Sequence, residues 1–257
     1  MKLAIYQPDA SPLSLEQRLQ ALDTALQKNK SLQTDLVLCP ELFLSGYGNA
    51  DRIRQLACPV NGKAIQQLAT VARQHDVAIA CGYPEQSGDH LYNSVLCLSS
   101  QGKVIANHRK RVLPTLYEQS LFKCAQNMTL FDLENGWRVA LLICYEVEFP
   151  EAVRACALAG AQLVLVPTAL GRDWRVVSRQ LVPTRAFENG VYLAYANFAG
   201  EDETTQYIGD SVIVSPVGED LARAGQRAGF ISAQIDQQAI NRARERLPYL
   251  NDYSEVS

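Results

Sequence analysis

Leu141-Leu-Ile-Cys-Tyr-Glu-Val-Glu-Phe-Pro-Glu151 passes within four residues from an apolar run to one rich in carboxylates. Val139 to Ile143 reads as a buried strand, and Cys144 closes it. Open α/β sheets place their chemistry in the crevice beyond the carboxyl ends of strands. Two further segments have the same build: Asp35-Leu-Val-Leu-Cys-Pro delivers Glu41, and Val104-Ile-Ala-Asn-His-Arg delivers Lys110. A cysteine taken alone is usually a small buried hydrophobe. A thiol, a carboxylate and an ammonium, each following a strand, form the set that cysteine-based amide hydrolysis requires.

Outward from these segments, apolar runs and alternation predict strands over Lys2–Gln7, Asp35–Cys39, Val77–Tyr83, Leu91–Leu98, Val104–His108 and Trp137–Ile143. The same signals recur over Gln162–Pro167, Val191–Asn197, Ser211–Val214 and Gly229–Ile235. Ser14 with Gln17 makes a capping-box pattern ahead of a helix. Further helices are predicted over Lys63–His75, Glu148–Ala159, Val176–Asn189 and Gln237–Glu245. Helical crossovers alternate with hairpins, one turning at Ser99–Gly102 and another at Ser215-Pro-Val-Gly218. The fold class predicted is α/β: two mixed sheets stacked face to face with helices outside, a four-layer α-β-β-α sandwich. No linker-like stretch or repeat interrupts the chain, so residues 1–257 read as one domain.

Bulk composition narrows the function. At 257 residues, 47% hydrophobic and 20% charged, the chain is an ordinary globular one with room for a large core. A net charge of −3 argues against nucleic acid as a partner, because tracking phosphates needs a basic face. No apolar run approaches the roughly 18 residues of a membrane helix, and the apolar run in MKLAIYQPDA is too short for a signal peptide. The seven cysteines are irregularly spaced and contain no C-x-x-C pair, which disfavours a disulfide framework and a tetrahedral zinc site. Reduced thiols in that number suit the cytoplasm. There is no G-x-S-x-G elbow, G-x-G-x-x-G turn or G-K-[ST] loop. Of the three histidines, only His108, adjoining Arg109-Lys110, is a candidate partner for a Cys–His pair.

The motifs together resemble the nitrilase superfamily of carbon–nitrogen hydrolases, over nearly the whole chain. Cys39-PELFLSG-Tyr47 is similar to the family's glutamate motif and His108-RKRVL-Pro114 to its lysine motif. Leu141 to Glu151, followed by Ala157-LAGAQLVLVPT-Ala169, resembles the cysteine motif and the strand after it. Arg185 to Asn197 and Tyr207 to Gly218 add two more signatures. The chain departs from the usual pattern at His108, at Val112, and at Glu146, where aspartate is frequent.

The resemblance implies that Cys144 is the nucleophile, Glu41 the general base and acid, and Lys110 the electrostatic partner of the oxyanion. It also implies that Glu118 is a second glutamate near the thiol, with an exposed loop carboxylate as the alternative. The backbone N–H of Tyr145 would share the oxyanion. No cofactor and no metal are called for. A lysine about 5 Å from the thiol, at an effective dielectric near 20, favours the thiolate by roughly 3 kcal/mol, and an ionised Glu41 opposes it by a similar amount. The expected substrate is a small primary amide, with short-amide hydrolases acting on δ-aminovaleramide as the finer resemblance. N-carbamoyl amines and nitriles are alternatives under the same triad, and a catalytically silent assembly subunit is the non-enzymatic one. Glu201-Asp202-Glu203 is either a site for a distal ammonium or a solvated turn. A homodimer or larger homo-oligomer is the expected assembly.

Overall fold

A computed structural model describes residues 1–255; residues 256 and 257, part of the one-domain expectation, lie outside the described residues. The first half runs β1 (Lys2–Gln7), α1 (Leu15–Lys28), β2 (Leu36–Leu38), α2 (Ala50–Leu56), α3 (Lys63–His75), β3 (Ala78–Ser87), β4 (His90–Leu98) and β5 (Val104–Arg109). There follow α4 (Leu116–Leu121), β6 (Thr129–Asp132), β7 (Arg138–Leu141), α5 (Pro150–Leu158), β8 (Leu163–Pro167), α6 (Val182–Asn189) and β9 (Tyr192–Ala196). Then come β10 (Val212–Val214), β11 (Asp220–Arg223), β12 (Gly229–Gln234), α7 (Gln237–Arg246) and α8 (Tyr249–Asp252).

Two six-stranded sheets result, ordered β12-β1-β2-β3-β4-β5 and β11-β10-β9-β8-β7-β6. Each has a parallel centre, β1-β2-β3 and β7-β8-β9, flanked by antiparallel strands. Side-chain alternation along each strand divides the core into layers. Leu3, Ile5, Leu36 and Leu38 of the first sheet pack with Val139, Leu141, Leu163 and Leu165 of the second. On the opposite faces, Ala4, Val37 and Ile79 meet Leu22 of α1 and Leu68 of α3, while Val164, Val166 and Leu193 meet Val153 of α5 and Val182 of α6. Burying one such aliphatic side chain contributes about 1.5–3 kcal/mol. The four-layer α-β-β-α sandwich is therefore the fold.

The predicted strands all form, β1 with the predicted bounds and the others with shifted ends. The segment predicted as strand to Ile143 stops at Leu141, because the chain turns sharply at Cys144, where φ is +49°. The helix predicted from Glu148 begins at Pro150, after a 3₁₀ turn over Cys144–Glu148. That over Val176–Asn189 opens as a π-turn, Val177–Leu181, before α6, whose first turn holds Pro183; a proline N cannot donate to the turn behind it. The edge strands β6 and β11 were not assigned as strands from the sequence; both are four residues long and only partly buried. No helix among the described residues is long and apolar enough to cross a membrane.

Candidate active site

Glu41 stands three residues beyond β2. Its loop crosses close over β3: a Cβ built on Gly82 would lie 2.4 Å from both Pro40 O and Leu42 N. Leu42 takes φ +49°, and Glu41 N approaches Thr168 O of the other sheet at 3.4 Å. From β4, Asn93 Nδ2 donates 2.7 Å to Glu41 Oε1. Lys110 follows β5 directly, its N–H held by Asn93 O at 2.8 Å. Glu118 lies in the first turn of α4, which Thr115 caps.

These residues converge, and the sandwich interior encloses them. Lys110 Nζ donates to Glu41 Oε1 at 2.7 Å and to Glu118 Oε1 at 2.9 Å. Tyr47 OH donates 2.7 Å to the same Glu118 oxygen. Glu41, Lys110 and Glu118 are all buried, so the loop-carboxylate alternative for Glu118 is excluded. A buried charge survives only if paired and hydrogen-bonded, and here one ammonium serves two carboxylates. Glu41 Oε2 has no hydrogen-bond partner among the described residues.

Cys144 is at the strand-to-turn corner. A non-glycine residue at positive φ costs about 1–2 kcal/mol, so surrounding contacts must hold it there. Its Sγ accepts a hydrogen bond from Thr168 Oγ1 at 3.0 Å, and Thr168 in turn pairs with Tyr195 OH at 3.1 Å. The residue keeps partial access to solvent. Tyr145 is the second residue of the 3₁₀ turn, where early backbone N–H groups lack intrahelical acceptors; its ring packs edge-on against Phe149, with centroids 4.9 Å apart.

The electrostatics follow from burial. Enclosure pushes the Cys144 thiol well above its ordinary value, Glu41 pushes it further, and Lys110 offsets only part of this. Burial alone would lower Lys110, but the carboxylates of Glu41 and Glu118 raise it, so it stays an ammonium. Glu118 is shifted upward by burial, with Lys110 opposing.

The Cys–His alternative is corrected. His108 Nε2 lies 2.9 Å from Glu146 Oε2 and Nδ1 lies 3.2 Å from Thr129 Oγ1, so both ring nitrogens are engaged away from the thiol. The acidic run is anchored rather than open. Asp202 accepts from Gly48 N and Tyr207 OH, Glu203 pairs with Arg52 and Asn49, and Glu201 accepts from Gln206. Sequence reasoning missed Asn93, Thr168, Tyr195 and Tyr47. Thr168 and Tyr47 lie inside quoted motifs, whereas Asn93 is legible only from strand pairing. Among the described residues, no group of three or more His, Cys, Asp or Glu is placed to hold a metal ion.

The carbon-nitrogen hydrolase family profile matches residues 2–245, and the chain belongs to that family. Within it the protein is a nitrilase-superfamily amidase, an enzyme that acts on amides with an active-site cysteine. It is 38% identical over 255 residues to the hydrolase in the pqqF 5′ region of Pseudomonas protegens, covering 98% of this chain and 88% of that one. It is 32% identical over 239 residues to an (R)-stereoselective amidase of Pseudomonas sp., covering 90% and 86%. An amidase from Nesterenkonia sp. superposes with a TM-score of 0.82 at 32% identity, over 96% of this chain and 95% of that one. A glutamate-to-glutamine mutant of the Nesterenkonia amidase shows Michael addition of acrylamide at its active-site cysteine.

Proposed function

We propose that residues 1–257 form one hydrolase domain that converts a short linear primary amide to a carboxylic acid and ammonia through a thioester on Cys144. The observation carrying this reading is the buried Glu41–Lys110–Glu118 array beside a strained cysteine turn. The resting group is a thiol, so a base must remove its proton during attack. Glu41 Oε2, buried without a partner, is suited to that step. Sγ then bonds to the amide carbon, and the carbonyl electron pair moves onto oxygen, facing Lys110 Nζ and the Tyr145 N–H. Losing one such donor typically costs about 3 kcal/mol.

Glu41 passes its proton to the nitrogen, the C–N bond breaks, and ammonia leaves. Water then attacks the thioester and gives its proton to Glu41. The C–S bond then breaks, the acid departs, and Glu41 returns the proton to the sulfur. Glu118 holds Lys110 and orients the incoming nitrogen or water. A homodimer or larger homo-oligomer in the cytoplasm completes the proposal. Since the carboxylates of the Glu201–Glu203 loop have partners of their own, that loop is assigned no role in binding a distal ammonium.

The test is a side-by-side kcat/KM panel by ammonia release, using valeramide, δ-aminovaleramide, valeronitrile and an N-carbamoyl amine. The amides should be turned over fastest. A higher kcat/KM for the nitrile or the carbamoyl compound would overturn the substrate class.

A further inference from the structure

Glu146, two residues beyond Cys144, gathers donors from both reactive loops. Its Oε2 accepts the Ile143 backbone N–H at 2.8 Å and lies 2.9 Å from His108 Nε2. Its Oε1 accepts from Arg111 Nε at 2.6 Å. The His108 and Glu146 side chains are wholly buried. In sequence, His108 and Arg111 bracket Lys110, while Ile143 and Glu146 bracket Cys144. One carboxylate therefore grips the chain on both sides of the ammonium and on both sides of the thiol.

The grip acts where the backbone most needs it. The captured N–H belongs to the residue immediately ahead of Cys144, whose φ of +49° persists only if its surroundings over-determine it. Isolated, a buried carboxylate would be costly. Here burial presses the Glu146 pKa upward, yet the bonds from His108 and Arg111 more than offset this and leave it below the ordinary carboxylate range. The two departures noted in the lysine and cysteine motifs, His108 and Glu146, are thus in direct contact with each other.

We propose that Glu146 is a positioning residue that locks the cysteine turn to the lysine loop and so sets where Sγ stands relative to Lys110 Nζ, with His108 as its buried partner and Arg111 as its outer one. This rests on the catalytic roles proposed above for Cys144 and Lys110. His108 then acts as the partner of Glu146 and not as the base that activates the thiol. Shortening Glu146 by one methylene would pull its carboxylate away from His108, and an apolar ring at 108 would remove the group left unpaired.

Three variants test this: Arg111→Gln, whose partly exposed side chain can change without opening the core, Glu146→Asp, and His108→Phe combined with Glu146→Asp. Turnover, iodoacetamide alkylation of Cys144 and thermal melting would be measured for each. Arg111→Gln and Glu146→Asp should each lower kcat at least tenfold with KM within twofold, and slow alkylation by a similar factor. The double variant should regain most of the loss that Glu146→Asp causes. Unchanged kcat, or losses that follow melting temperature alone while alkylation stays at the wild-type rate, would overturn the positioning role. If Cys144→Ala kept full activity, the catalytic reading itself would fall. A dead Cys144→Ala beside fully active Arg111 and Glu146 variants would remove only the lock.

Discussion

Burial and the Glu41 carboxylate raise the Cys144 thiol further than Lys110 lowers it, so the sulfur waits protonated. That division of labour decides what each neighbour contributes. Lys110 has its charge matched by two carboxylates, and in the proposed mechanism it meets the oxyanion rather than keeping a standing thiolate. Glu41 has one oxygen tied to Lys110 and Asn93, and the other, without a partner among the described residues, is the one that exchanges protons in the proposed mechanism. Lys110→Ala and Glu41→Gln should each reduce kcat at least about a hundredfold, the loss expected for an oxyanion partner or a general base. Glu41→Gln should also slow alkylation of Cys144, while Lys110→Ala leaves two buried carboxylates facing each other and should lower the melting temperature as well. Steady-state ammonia release and thermal melts would show both. A glutamine variant alkylated at the wild-type rate would assign the proton to another acceptor.

The elements hold these groups by close approach. The glutamate loop lies so near β3 that no side chain fits at position 82. Gly82→Ala should push Glu41 off Lys110, cut kcat by tenfold or more, and destabilise the fold by about 1–3 kcal/mol, read from activity and urea melts on the same sample. An alanine variant with native kinetics would show that the loop can move without consequence. Two of the three reactive loops were legible in the sequence because they follow apolar runs that must be buried, Leu36–Leu38 and Arg138–Leu141, whereas Val104–Arg109 alternates, with only Ala106 and His108 buried. Glu118 was harder to read. It depends on α4, a six-residue helix with a single buried position, whose order comes from the Thr115 cap and the Tyr47 contact rather than from periodicity. Asn93 and Thr168 act across sheet neighbours, a relation that a linear pattern does not carry.

At the scale of the whole molecule, two stacked sheets with matching strand order let groups more than a hundred residues apart, such as Glu41 and Cys144, act on each other at one site. Composition and alternation foretold the layers; which loops face each other came only from the stacking. Buried ion pairs also tie the fold to pH. Burial presses Glu85 and Glu146 upward, but Arg109 with Asn107 and Ser94, and His108 with Arg111, more than offset it, so both carboxyls titrate below their ordinary value. A carboxylate with a depressed folded pKa stabilises fully above its unfolded value, near 4.3, and that stability is lost as pH falls towards the folded value. Glu118, shifted upward, has the opposite sign and is relieved on protonation. The melting temperature should therefore hold roughly level down to about pH 5 and drop by at least about 5 °C by pH 3, as a series of thermal melts would record.

The central claim is that Cys144 carries the acyl group. Its most direct test is rapid-quench mass spectrometry of the protein turning over a slow primary amide, followed by peptide mapping. A mass increase equal to the acyl group is expected on the peptide bearing Cys144, absent from Cys144→Ala, which should fold normally and release no ammonia. An adduct on Cys124 or Cys156 instead, or full turnover by the alanine variant, would contradict it.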